Sequence, residues 1–90
     1  MEEQKIKGYR ELTEIEIGLI NDVKRAGEKL DLLIKAIDEY LDKQQSEVFD
    51  VKEADRLYDT QPGRWLAMVK TDLQVGLMKL TRAIAQPTNF

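Results

Sequence analysis

The sequence of 90 residues contains no cysteine and no histidine. Without cysteine, the chain has no disulfide framework, no thiolate nucleophile and no thiolate metal site. The lack of histidine removes the commonest general base and metal ligand. The single serine, Ser46, lies in a polar stretch with no base beside it to activate its hydroxyl. These absences predict a protein that is not an enzyme and holds no metal or other cofactor.

Long apolar runs are also lacking, since no run approaches the roughly 20 residues that a membrane span requires. The N-terminus has no apolar core of a signal peptide. The net charge is -3, so the chain as a whole lacks the positive field that binds long nucleic acids. We therefore expect a soluble, cytoplasmic protein without membrane or long nucleic-acid partners, in which any anionic ligand needs a local basic pocket.

Two stripes of apolar and small residues at helical spacing dominate what the sequence does contain. The first stripe comprises Ile20, Val23, Gly27, Leu30, Ile34, Ile37 and Leu41. The second stripe comprises Leu66, Val69, Leu73, Gly76, Leu80 and Ala83. We expect two long helices packed side by side, with both glycines allowing close backbone approach. The predicted fold is all-α, a long antiparallel helical hairpin.

Capping residues mark the start of the first helix. Thr13 followed by Glu16 has the form of a capping box directly before the apolar period begins. Apolar positions stop after residue 41, and residues 47–58 hold enough of them to predict a short helical connector.

The second helix is expected to be capped by Asp59 or Thr60, with Pro62 in its first turn. Pro87 should end it after Gln86. Residues 1–90 are thus predicted to form a single domain.

A hairpin of this kind leaves apolar residues outside its seam. Those predicted to lie there are Ile17, Leu32, Met68, Val75, Leu77, Met78 and Ile84. An exposed apolar set of this size usually marks an interface, so we expect an obligate homo-oligomer.

Two groups of residues have the chemistry of a nucleotide site. Tyr9 and Arg10 precede the first helix and Lys24 lies within it, which combines an aromatic face for a base with cations for a phosphate. From spacing alone, a packed tyrosine and a solvated lysine are the commoner arrangement.

The second group lies at the start of the second helix. Arg64 stands where free amides favour an anion, and Lys70 and Thr71 follow one to two turns later. Ion pairing of these cations with acidic neighbours is the alternative, and Arg82 is assigned only to the helix dipole.

Several runs of residues together resemble one known family. They are 8–14, Ile17, Asn21, Lys24 and Gly27, followed by 64–67, 70–74, Gly76 and 82–87. On these residues the chain resembles the small phage anti-CBASS cyclic-nucleotide sponges, from about residue 8 to residue 87. A related sponge family directed at cyclic ADP-ribose signals of Thoeris defence shares the hairpin but has an additional N-terminal portion.

The resemblance implies a compact homohexamer that sequesters cyclic oligonucleotides in the host bacterial cytoplasm and cleaves none of their bonds. It implies that Tyr9 stacks on a base of a cyclic dinucleotide and that Lys24 meets its phosphate. Arg64, Lys70 and Thr71 are the candidates for a separate cyclic trinucleotide site. Two alternatives stay open at this point: an oligomeric adaptor that binds a protein through its exposed apolar stripe, and an enzyme that hydrolyses the same ligands with carboxylates and a metal.

Overall fold

The computed structural model describes residues 10–88, which form three helices: α1 (Glu14–Ser46), α2 (Val51–Thr60) and α3 (Pro62–Ala85). α1 and α3 pack against each other in antiparallel orientation, and α2 forms the connector between them. The molecule measures 66 × 21 × 18 Å, which is a rod. The predicted all-α hairpin with a helical connector is confirmed.

The start of α1 is the predicted capping box. The Thr13 side chain accepts a hydrogen bond from the Glu16 amide (3.2 Å), and the Glu16 carboxylate accepts one from the Thr13 amide (2.9 Å). Both donors would otherwise lack a partner inside the helix. The predicted start of the first helix is therefore confirmed.

The junction between α2 and α3 differs from the prediction. Asp59 and Thr60 do not cap α3, because both belong to the last turn of α2. Gln61 alone separates the two helices, in a left-handed conformation with φ of 46°. Pro62 does occupy the first turn of α3, and Gln86 ends that helix by donating its amide to the Arg82 carbonyl (2.8 Å).

The seam between the long helices contains all of the first predicted stripe except Ile37, which is 38% exposed, but of the second predicted stripe it contains Leu66 and Leu73 alone. Leu77 and Ile84, predicted outside the seam, are half-buried in it, whereas Val69 and Leu80 are 43% and 53% exposed. Thr81 is also half-buried in the seam. Its hydroxyl donates to the Leu77 carbonyl (3.1 Å), so this polar group keeps a hydrogen-bond partner there. The true seam of α3 comprises Leu66, Leu73, Leu77, Thr81 and Ile84.

The two glycines also have different roles from those predicted. A Cβ on Gly27 would lie 3.2 Å from the Leu77 side chain, so close approach is required there. A Cβ on Gly76 would meet no atom of residues 10–88 within 4 Å. The expected close crossing at Gly76 is therefore wrong within the single chain.

One side of the hairpin is apolar and exposed, and we call it the apolar flank. Helical spacing assigns to it Leu19, Leu33, Ile37, Trp65, Val69 and Leu80, which are 38% to 61% exposed. Three of them, Ile37, Trp65 and Val69, line one hollow. Within residues 10–88 the one hydrophobic residue classed as buried is Leu57, at 6% exposure. The single chain therefore has almost no core of its own. No helix in this part of the chain has the length and apolarity needed to cross a bilayer.

Candidate functional site

The opposite side of the seam holds a groove with basic residues along it. Two adjoining hollows, of about 710 and 440 Å³, run between α1 and α3 and are open to solvent. The residues that line both hollows are Lys24, Gly27, Gln74 and Leu77. We call the two hollows together the basic groove.

The larger hollow has an apolar floor with a cation from each helix. Lys24 of α1 and Arg82 of α3 both line it. The apolar lining comes from Val23, Gly27, Leu77, Met78, Ala85 and Pro87. An apolar floor with few charged groups is typical of a small-molecule site, because the floor takes rings and the charges orient the ligand.

The smaller hollow has mixed charge. Lys70 lines it together with Lys24, but so do Glu28 and Asp31. Asp31 also forms an ion pair with Lys35 at 3.0 Å. Because carboxylates repel an anion, the larger hollow is the better anion site of the two.

Arg10 has its guanidinium engaged at the end of the hairpin. It bonds the Glu16 carboxylate with both terminal nitrogens, and Nη2 also donates to the Ile84 carbonyl oxygen at 2.9 Å. The hydrogen bond from Arg10, followed by that from the Thr13 amide, lowers the pKa of Glu16 to about 2. Direct contact between Arg10 and a ligand stays a prediction.

The other predicted site residues are distributed along the chain. Tyr9 lies outside the described residues. Arg64 stands at the start of α3, where Nη1 lies 3.5 Å from the Gln61 side-chain oxygen, and it is outside both hollows. The Thr71 hydroxyl donates to the Ala67 carbonyl (3.4 Å) and also lies outside the basic groove. Lys24 and Lys70 therefore line the same hollow, and Arg64 and Thr71 do not line it.

Sequence reasoning missed two groove residues, Gln74 and Arg82. Both belong to a series on one face of α3 at four-residue spacing, which runs Lys70, Gln74, Met78 and Arg82. Residues four apart are neighbours on a helix surface, so this spacing was the available signal.

The fold and the groove together define a class of protein: a rod-like helical hairpin with an open groove that carries cations on one side of its seam and exposed apolar side chains on the other. Comparison with known proteins identifies the family. The chain belongs to the Acb2/Tad1 hairpin-domain family, whose model matches residues 1–85. It is 39% identical over 100 aligned positions to Anti-CBASS protein 2 of Pseudomonas phage JBD67, and the match covers 93% of each chain.

Proposed function

We propose that this protein blocks CBASS immunity by binding cyclic oligonucleotide messengers and holding them without cleavage. The observation that carries the proposal is the apolar hollow with Lys24 and Arg82, in a chain that is 39% identical to an anti-CBASS protein. Such a protein acts where the messenger is made, in the cytoplasm of the infected bacterium. It requires no catalytic residue and no cofactor.

The chemistry of a cyclic dinucleotide suits the larger hollow. The larger hollow has a volume of about 710 Å³, which falls within the range usual for small-ligand sites. Lys24 and Arg82 supply charge-assisted hydrogen bonds to the phosphates. Tyr9 is proposed to stack on a base, an interaction worth about 1 to 3 kcal/mol per base in single-stranded nucleic-acid complexes.

Cyclic trinucleotides are proposed to bind at a separate site. Arg64, at the N-terminal turn of α3, and Thr71 lie outside the basic groove. Lys70 lines the smaller hollow, so its part in the separate site is the least supported. In the proposed assembly this second site is completed by another copy of the chain.

The assembly itself is proposed to be a homohexamer, following the family resemblance. The apolar flank supports self-association, because Leu33 and Trp65 are 56% and 61% exposed in the single chain. Additional copies would remove this surface from water and supply the core that the hairpin lacks.

An oligomeric adaptor is the second candidate function. It is favoured by the aromatic residues exposed near the connector, where Phe49 and Tyr58 are 96% and 79% exposed. In that case the apolar surface binds another protein and the cations of the basic groove bind no nucleotide.

A thermal-shift screen tests the two candidates. The purified protein is heated with a panel of cyclic di- and trinucleotides, and with linear dinucleotides and cyclic ADP-ribose isomers as controls. We expect selective stabilisation by cyclic oligonucleotides, because a ligand at 100 times its Kd adds about 2.7 kcal/mol to the free energy of unfolding. The ligand should be recovered chemically intact after denaturation. If no cyclic nucleotide changes the melting temperature, the adaptor replaces the proposed function. If the recovered ligand has been cleaved, the protein is an enzyme.

A further inference from the structure

Gln74 lies where the two hollows of the basic groove adjoin. It belongs to α3, four residues from Lys70 and four from Met78, and it lines both hollows. Gly27 of α1 also lines both hollows, and it has no side chain to fill the space between the helices. A ligand in the larger hollow therefore has access to the Gln74 side chain.

The polar groups that line the larger hollow differ in what they offer a ligand. Lys24 and Arg82 are positively charged and only donate hydrogen bonds. The Thr81 hydroxyl already donates to the Leu77 carbonyl at 3.1 Å, so it is left as an acceptor. Among the described residues of this lining, Gln74 is thus the uncharged side chain that can both donate and accept.

The amide of Gln74 is also unengaged. Within residues 10–88 this side chain makes no hydrogen bond, and the residue is exposed. The Arg10 guanidinium, by contrast, is bonded to both Glu16 and the Ile84 carbonyl. No bond within the described part of the chain has to break before the Gln74 amide meets a ligand.

A neutral amide suits a nucleobase better than a phosphate. Phosphate oxygens only accept hydrogen bonds, and the two cations of the hollow satisfy them with charge. A base edge presents donors and acceptors side by side, and a glutamine amide forms two parallel bonds with N6 and N7 of adenine. The same edge of guanine presents two acceptors, N7 and O6, which arginine or lysine matches better. The chemistry of the amide therefore favours adenine.

We propose that Gln74 recognises the base edge of a nucleotide in the larger hollow and makes this site selective for adenine over guanine. Lys24 and Arg82 then hold the phosphates of either ligand alike, and Gln74 distinguishes the bases. This inference rests on the proposed function for its ligand class and adds the residue that determines specificity.

Titration calorimetry with cyclic di-AMP and cyclic di-GMP separates base recognition from phosphate binding. The two probes have the same phosphates, so an effect on phosphate binding cancels in the ratio of their Kd values. The parent protein should bind cyclic di-AMP about tenfold more tightly, which is within the discrimination that one matched amide–base pair supplies. Light scattering verifies that each variant keeps the parent oligomer.

Gln74→Glu is the decisive variant. A carboxylate only accepts hydrogen bonds, so it cannot donate to adenine N7, whereas it can accept from the N1–H and N2–H donors of guanine. Its negative charge should weaken both ligands, but the preference for cyclic di-AMP should fall about tenfold or reverse. Gln45→Glu is the matched control, because Gln45 is an exposed glutamine of α1 outside both hollows and should keep the parent ratio.

Lys24→Ala supplies the contrast with a phosphate contact. It should raise both Kd values by a similar factor and leave their ratio unchanged. If Gln74→Glu binds both probes with the parent ratio, base recognition by Gln74 is overturned and the proposed function stands. A parent protein that binds the two probes equally overturns the adenine selectivity. If the parent protein binds neither probe, the proposed function fails and the role of Gln74 fails with it.

Discussion

The two sides of the hairpin seam are built from the same two helices and present opposite surfaces. On one side, α3 contributes Lys70, Gln74 and Arg82 to the basic groove. On the other side, α3 contributes Trp65 and Leu80 to the apolar flank. A hairpin of two long helices has almost no interior in which to place a site, so its function depends on which residues of each helix face the seam, the groove and the flank.

This difference between the groove and the flank predicts that the two sides have separate roles. Full burial of a large apolar side chain contributes about 1.5 to 3 kcal/mol relative to full exposure, and the flank residues, which are 38% to 61% exposed, would gain about half of that each, so the flank favours self-association. The cations of the groove lose hydration on burial and are favoured there only when an anion compensates. We infer that the flank stabilises the assembly and the groove holds the ligand. Substitutions on the two sides should therefore have separable effects.

The largest effect is expected from a charge on the apolar flank. Leu33→Glu should convert the oligomer into monomers, because an unpaired carboxylate would be buried at the interface. Asn21→Glu is the matched control, since Asn21 is an exposed polar residue of α1 outside the apolar flank and both hollows. Light scattering of both variants measures the outcome. If Leu33→Glu keeps the parent mass, the apolar flank is not the interface.

A smaller effect, confined to ligand binding, is expected in the groove. Lys24→Ala should raise the Kd for a cyclic dinucleotide about 10- to 100-fold, because hydrogen bonds to charged groups contribute about 1.5 to 3 kcal/mol. Lys29→Ala is the control, since Lys29 is an exposed lysine of α1 outside both hollows. The oligomer mass should be the same for both variants. Equal affinities in titration calorimetry would remove Lys24 from the site.

A third test concerns the seam that separates the two sides. Gly27→Leu should destabilise the protein by about 1 to 3 kcal/mol, because the added side chain would compete with Leu77 for the same space. Gly18→Leu should not destabilise it, since a Cβ there meets no atom of residues 10–88 within 4 Å and leucine favours helix. Thermal denaturation of the two variants gives the comparison. A lower melting temperature for Gly18→Leu than for Gly27→Leu would contradict the observed seam.

Most of the fold could be predicted, because periodicity and capping act locally. The capping box at Thr13 and Glu16 is confirmed, and the first stripe of α1 is confirmed except at Ile37. The rotation of α3 about its axis could not be predicted from apolar residues alone. α3 has apolar residues toward both the seam and the flank, and the seam position Thr81 is polar but satisfied by its own helix. Apart from Leu66 and Leu73, the second predicted stripe therefore described a surface turned toward the apolar flank.

Part of the candidate site could be predicted, because residue type is read directly from the sequence, whereas the rotation of α3 is not. Lys24 and Lys70 were identified by residue type and do share a hollow. Arg82 was assigned to the helix dipole because its place in the larger hollow depends on the rotation of α3 and on antiparallel pairing with α1. The hydrogen bond from Arg10 to the Ile84 carbonyl joins residues 74 positions apart, so no local pattern contains it.

The smallest expected effect is a pH dependence at the end of the hairpin. The pKa of Glu16 is about 2 in the folded protein against an ordinary value of 4.5, chiefly because Arg10 donates hydrogen bonds to the carboxylate. A carboxyl group with a lowered pKa stabilises the fold fully above its unfolded pKa, and this contribution is lost as pH falls through the folded value. The melting temperature should therefore be insensitive to this group above about pH 5 and decline between about pH 4.5 and 2.

A second carboxyl group, that of Glu53, also has a lowered pKa, because Arg56 donates hydrogen bonds to it. The informative quantity is therefore the difference between variants. Glu16→Gln should lose part of the acid-dependent decline, whereas Glu14→Gln should retain it, as measured by thermal melts from pH 7 to 2. Arg10, which bonds Glu16, also donates to the Ile84 carbonyl at the end of α3. Glu16→Gln should therefore loosen the end of the groove that contains Pro87, and it should leave the oligomer mass unchanged. An unchanged acid profile in Glu16→Gln would mean that the hydrogen bonds between Arg10 and Glu16 do not persist in solution. Arg10 would then not join the start of α1 to the end of α3.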